Sequence, residues 1–195
     1  GISPSNVGSM NHLDVYRREA QRDFADGSGV MARAIVEGLF GINPDALSGV
    51  LELRPGLPSH WQRASLAHPN LKLAFVREGP VDGWTVTEGA VHRFKSLKLR
   101  VPATHERIAS VTVNGRQAEW HADPESVGRP MIEILAPLNA NKPTVVQIEW
   151  TGAKLQLKED PGNRFTQTTQ GAFTWWQPSL DAPVTMASLR SDMFH

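Results

Sequence analysis

The chain has 195 residues, no cysteine and balanced charge, 20 Lys and Arg against 20 Asp and Glu; it is long enough to bury one large core and carries no net field to recruit nucleic acid or an anionic membrane. The absent thiols exclude disulfides, thiolate catalysis and Cys-ligated zinc, and leave the compartment open. No apolar run reaches the roughly 18 to 20 residues of a membrane span, and the first residues lack the charged-then-apolar profile of a signal peptide, so a soluble protein is expected. Three regions follow in order: a helical segment over residues 1–48, short strands over 49–158, and a Pro/Gly/Gln/Thr-rich tail over 159–195.

Two helices are expected in the first region. One runs from Val15 to Phe24 with Asn11 or Asp14 as cap, and Asp26-Gly-Ser-Gly29 breaks the chain after it. The other runs from about Val30 to Leu39. Met31, Ile35, Leu39 and Ile42 recur at helical spacing, Ala32, Val36 and Phe40 form a second stripe, and Arg33 and Glu37 are the main polar pair. A helix apolar nearly all round must be covered on more than one side, whereas a β-sheet covers one. Met31, Ile35, Leu39 and Phe40 are therefore expected to form a seam with a missing helical partner or a second subunit. Gly41 is the expected stop, with Asn43-Pro44-Asp45 as the turn beyond it.

From Gly49 the period changes to that of strands. Segments near Val50–Arg54, Ala64–Ala67, Leu71–Arg77, Gly83–Thr87, Phe94–Val101, Ser110–Val113, Gln117–Trp120, Met131–Leu135 and Thr144–Trp150 are bounded by turn residues. Asn114-Gly115 is the clearest hairpin turn. Short strands joined by turns predict a mainly β protein, an antiparallel β-sandwich preceded by a short helical segment.

Certain stretches carry a family resemblance. Glu37-Gly-Leu-Phe-Gly-Ile42 resembles the last barrel helix of the six-hairpin, (α/α)6-barrel glycosidases and phosphorylases, and Leu53-Arg-Pro-Gly-Leu-Pro58 with Trp61 resembles the first strand and exit turn of their C-terminal β-sandwich. Ala64-Ser-Leu66 leading into Leu71-Lys-Leu-Ala-Phe-Val76 is similar to the next hairpin, and Leu97-Lys-Leu-Arg-Val-Pro102 to a later strand. The order of these segments over about residues 30–150 resembles a bacterial, Bacteroidetes-type glycosidase-like group without one defined specificity. The resemblance implies an accessory domain that supports a catalytic barrel in cis and lines the edge of its glycan cleft, in a periplasmic or secreted protein. It also implies that the catalytic carboxylates lie upstream of residue 1, so that this chain alone turns over no substrate.

Within the chain, no motif supplies chemistry. A glycosidase needs two carboxyl groups flanking a sugar; Asp123/Glu125 and Glu159/Asp160 read as solvated loop acids. The seven His show no metal-ligand spacing, no Gly-x-Ser-x-Gly elbow is present, and neither metal nor cofactor is expected. Asp26 or Ser28 is expected to cap a helix, the alternative being anion binding at its N-terminus. Six Trp against one Tyr are the strongest signal. Trp61, Trp84, Trp120 and Trp150 sit in or beside strands, where packing is expected. Trp175, Trp176 and Gln177 lie in the tail, and adjacent residues of an extended segment point to opposite sides. Either both rings fasten the tail to the sandwich, or one is buried while the other, with Gln177, meets an oligo- or polysaccharide. Two functions are thus open: the accessory domain, and a free-standing carbohydrate-binding module.

Overall fold

A computed structural model of the chain describes residues 26–89, 94–140, 142–157 and 164–179. The fold is mainly β, a β-sandwich preceded by a short helix. The expected helix over Val15–Phe24 lies outside the described residues. Helix α1 spans Asp26–Arg33 and runs straight into a π-helical segment, Ala34–Leu39. Asp26-Gly-Ser-Gly29 is thus helical, which corrects the expected break. The π segment ends with the Phe40 amide donating to the Ile35 carbonyl at 3.0 Å. Leu39 and Phe40, at the C-terminal end of the helix, pack against the core, while Met31 and Ile35, a turn or more before it, do not.

Gly41 stops the helix as expected, at φ 62°. A Cβ at this position would overlap the Arg54 carbonyl, whose own amide donates to the Gly41 carbonyl at 2.9 Å. Gly41→Ala is expected to cost about 2 to 3 kcal/mol or more, through both the left-handed backbone and the overlap; urea denaturation of the variant checks this. The next residues correct a second expectation. Ile42–Asp45 is strand β1, and it pairs antiparallel with β2, Val50–Leu53. The turn lies beyond it, where Asp45 Oδ1 accepts the amides of Leu47 and Ser48, both at 3.1 Å.

The remaining strands are β3 (Arg63–His68), β4 (Leu71–Glu78), β5 (Val81–Glu88), β6 (Ser96–Pro102), β7 (His105–Val113), β8 (Arg116–Gln117), β9 (Trp120–Asp123), β10 (Met131–Pro137), β11 (Thr144–Lys154), β12 (Arg164–Gln170) and β13 (Phe173–Ser179). One sheet has the order β1-β2-β6-β10-β9, the second β3-β4-β5-β11-β7-β8, and β12-β13 form a third. All pairs are antiparallel except β2 with β6. Strict alternation fills the space between the two large sheets. Leu51, Leu53, Leu97, Leu99, Ile132 and Ile134 face in from the first, and Leu73, Val86, Val111, Val146 and Ile148 from the second, within one core cluster.

The turn Asn114-Gly115 has both residues at positive φ, 51° and 75°, as a two-residue type I′ hairpin requires. The strand expected over Gln117–Trp120 is divided: Arg116–Gln117 completes β8 in the second sheet, and Trp120 begins β9 in the first. Ala118 and Trp120 both pack against the core, so the chain crosses between layers while keeping its apolar side inward.

The tail contributes a hairpin that the sequence reading did not contain. Gly171, at φ 60°, opens a two-residue loop between the paired Gln170 and Phe173, and only glycine fits it, because a Cβ there would overlap the Glu106 carbonyl. At this end Ala172 donates to the Glu106 carbonyl on β7 at 2.8 Å, and further along β13 Trp176 donates to the Ser126 carbonyl at 2.9 Å and accepts from Gly128 at 2.7 Å. The third sheet therefore spans from the second sheet to the β9–β10 connection of the first, closing one side of the sandwich.

Candidate functional site

The expected seam is divided by the structure. Phe40 is buried and Leu39 packs beside it against the core, but Met31 is 62% exposed, Ile35 43% and Val30 64%. Arg33 and Glu37, on successive turns, form an ion pair at 2.8 Å in solvent. The helix is thus anchored at its C-terminal end, where the Gly56 amide also donates to the Leu39 carbonyl at 3.0 Å, and bears an uncovered apolar side before it. Of the four seam residues, Leu39 and Phe40 pack into the sandwich at the end of the helix, and Met31 and Ile35 stand exposed on the turns before it.

In the third sheet, Phe173, Trp175 and Gln177 point inward and are buried. The Phe173 ring lies 5.9 Å from that of Trp120. Gln177 Nε2 donates to Thr168 Oγ1 at 2.7 Å, while Trp175 Nε1 and Gln177 Oε1 have no hydrogen-bond partner among the described residues. Trp175 and Gln177 therefore stand on the core side, held chiefly by packing, and offer no surface to a ligand in this arrangement. Trp176 is on the opposite face and half-buried. Its neighbours on that face are Gln167, directly across on β12, and Val127, its partner in a parallel bridge. Phe165, diagonal to Trp176, is 52% exposed.

The other tryptophans have structural surroundings. Trp84 is buried, with its ring 4.5 Å from Phe75. Trp150 is buried and donates from Nε1 to Asp82 Oδ2 at 3.0 Å. Asp82 is itself buried and receives Arg77 through Nε at 2.6 Å and Nη2 at 2.8 Å. Trp61 and Trp120 are half-buried.

Among the described residues no acid pair has the surroundings of a glycosidase centre. Asp123 is 2.7 Å from Arg100 and accepts the Glu125 amide at 3.1 Å, forming a capped turn. Arg100 also approaches Glu52 at 3.5 Å and Glu133 at 3.9 Å, and Lys98 pairs with Glu133 at 3.0 Å. This charged ladder runs over the outer face of the first sheet, each carboxylate opposed by a cation. Glu159/Asp160 lie outside the described residues. Among the described residues no cluster of His, Asp and Glu could hold a metal ion. His60 and His68 are exposed, and His68 Nδ1 accepts the Asn70 amide at 3.2 Å.

His105, beside Thr104 Oγ1 at 3.0 Å, has its pKa pushed below the ordinary value of 6.5 by burial first, then by the Lys154 ammonium; Arg77 adds to this and Asp82 opposes it. The unfolded chain then takes up the proton at higher pH than the folded one. The contribution of His105 to stability is complete above the ordinary value and declines as pH falls through it toward the folded pKa. Urea midpoints measured at about pH 7.5 and about pH 5.5 are expected to show a smaller acid loss in His105→Gln than in the wild type.

One cleft, of about 650 Å³, opens where the β7–β8 hairpin overhangs the first sheet. Arg116, Glu119 and His121 line it over Val113, Leu135 and Pro137. It holds ionisable groups of both signs and no Phe, Tyr or Trp. Sequence reasoning missed it because β8 and β9 read as one strand. No family profile, curated protein or solved structure matches the chain.

Proposed function

We propose that the chain is a non-catalytic accessory domain of a bacterial glycoside hydrolase, a β-sandwich that supports a helical catalytic barrel and stands at the edge of its glycan cleft. The observation that carries this reading is the helix anchored by Phe40 and bare at Val30, Met31 and Ile35. Burying three such side chains is favourable by roughly 1.5 to 3 kcal/mol each, and a helix of the same polypeptide is the partner of matching shape and polarity. The order of barrel-helix-like and sandwich-like segments from Glu37 to Pro102 points to the same partner. The ladder over the first sheet, in which Glu52, Asp123 and Glu133 are each paired with Arg100 or Lys98, is in keeping with a supporting role.

Two measurements test the reading together. The intact mass of the native product in its source cells is expected to be several times 21.5 kDa, and hydrolysis of aryl glycosides is expected from that product and not from residues 1–195 alone. A native product near 21.5 kDa, or turnover by this chain, overturns it. A further substitution addresses the seam itself. Met31→Gln with Ile35→Gln is expected to leave the thermal midpoint of the isolated chain within about 1 °C, as exposed sites do. The same pair is expected to lower that of the larger native product by several degrees. Equal effects in both would remove the helix from the interface.

A further inference from the structure

We infer that the outer face of the β12–β13 hairpin is a binding platform for a neutral pyranose chain, built from Trp176 and Phe165 with Gln167 and the Thr169/Thr174 hydroxyl pair. This goes beyond the accessory role and stands on different residues, far along the chain from the helix.

Strand register sets the composition of that face. Trp175 and Phe173 are fully buried, so their neighbours in β13, Thr174 and Trp176, are turned outward by the two-residue period. The β12 residues paired with them, Thr169 and Gln167, share the face. Phe165 lies one step further along it, and diagonal neighbours across two strands are within reach of aromatic side chains. Val127, 62% exposed and bridged to Trp176, extends the apolar ground on the other side.

The chemistry of these groups selects the ligand. Two aromatic rings on one face of a two-stranded sheet suit the C–H faces of successive sugar rings. The Gln167 amide, directly across from Trp176, supplies donors and an acceptor beside the rings. Thr169 Oγ1 and Thr174 Oγ1 lie 3.0 Å apart and share a single hydrogen, which leaves one O–H and free lone pairs for a sugar hydroxyl. None of these side chains is charged, so neither a uronate nor a sulfated glycan gains an ionic partner here. The backbone beneath is held from both edges: β12 pairs along β13, and the Trp176 amide and carbonyl are tied to Ser126 and Gly128. The platform is thus formed before any ligand arrives, which lowers the ordering cost of binding.

The test is affinity electrophoresis of the 195-residue chain through native gels containing xyloglucan, galactomannan, arabinogalactan or polygalacturonate. Retardation is expected in at least one neutral polysaccharide and not in polygalacturonate. Trp176→Ala and Phe165→Ala are each expected to weaken that retardation by about tenfold or more. Phe165 is exposed, so Phe165→Ala keeps its fold and remains informative if Trp176→Ala does not; near-ultraviolet circular dichroism verifies each. Mobility unchanged in every neutral gel, retardation in polygalacturonate alone, or full retardation in both variants overturns the platform. The size and activity of the native product do not enter this experiment, so its failure and that of the accessory reading are told apart.

Discussion

Asp82→Ala is expected to destabilise the protein by about 3 to 5 kcal/mol, the cost of breaking a buried ion pair by removing one member. Asp82 is 4% exposed. Arg77 reaches both of its oxygens, at 2.6 and 2.8 Å, and Trp150 Nε1 reaches one of them at 3.0 Å. The guanidinium also donates to the Ser59 carbonyl at 2.9 Å and stands 5.3 Å over the Phe75 ring. Removing the carboxylate leaves Arg77 fixed by those contacts against a largely desolvated space, and it strands the indole N–H. The arrangement holds one end of the second sheet, because Arg77 and Asp82 are directly paired across β4 and β5. Replacing both charges, as Arg77→Met with Asp82→Leu, is expected to recover much of the loss, since a well-packed apolar pair often matches a buried ion pair. Urea denaturation of the two variants measures both effects. A loss below about 1 kcal/mol for Asp82→Ala would show that solvent relieves the stranded groups.

The second large effect is expected at Trp175. Truncating this wholly buried side chain to alanine removes its transfer energy and leaves a cavity, together about 3 to 5 kcal/mol. The cavity opens beneath the third sheet, beside Phe173 and Trp120, where the hairpin is the wall and can follow the missing volume inward only by giving up its bonds to Ser126, Gly128 and Glu106. The adjacent Trp176→Ala, on the other face, is expected to cost less than half as much. The comparison of the two midpoints is the measurement. Equal losses would mean that the hairpin is fastened by its edges and not by its inward rings.

The sequence made the two large sheets legible because one physical signal, the two-residue alternation, runs through nearly every strand in them. In β6, Leu97, Leu99 and Val101 face in while Lys98 and Arg100 face out. The Asn114-Gly115 turn was legible for an equally local reason, the positive φ that both residues tolerate. What was not legible depends on partners distant in sequence. Ile42–Asp45 contains a proline and one strongly apolar residue, and it becomes a strand only because β2 follows to pair with it. The helix ending at Gly41 is legible from its apolar periodicity, whereas the π turn over Ala34–Leu39 has no recognised sequence signal. The tail hairpin is rich in Thr and Gln on both faces, so the alternation of Phe173, Trp175 and Gln177 was visible on one strand only. Its turn signal, Gln170-Gly171-Ala172, was present and was outweighed by the polarity of the segment. At the candidate platform, the opposite orientation of the two adjacent Trp could be anticipated from backbone geometry. The identities of Phe165, Gln167 and Val127 beside Trp176 could not, since they come from register and from a bridge spanning 49 positions.

The position of the third sheet in the chain also dictates an order of assembly. Both large sheets are complete once β11 has been made, yet Phe173 and Trp175 belong to their shared interior and follow later. A chain emerging from the ribosome therefore has its sandwich formed but unsealed, with Trp120 and the start of β7 facing water, until the β12–β13 hairpin appears. Closure waits until β12 and β13 have followed the strands they seal, and during that interval the nascent protein exposes the open side most prone to capture by a chaperone or by another unfinished copy.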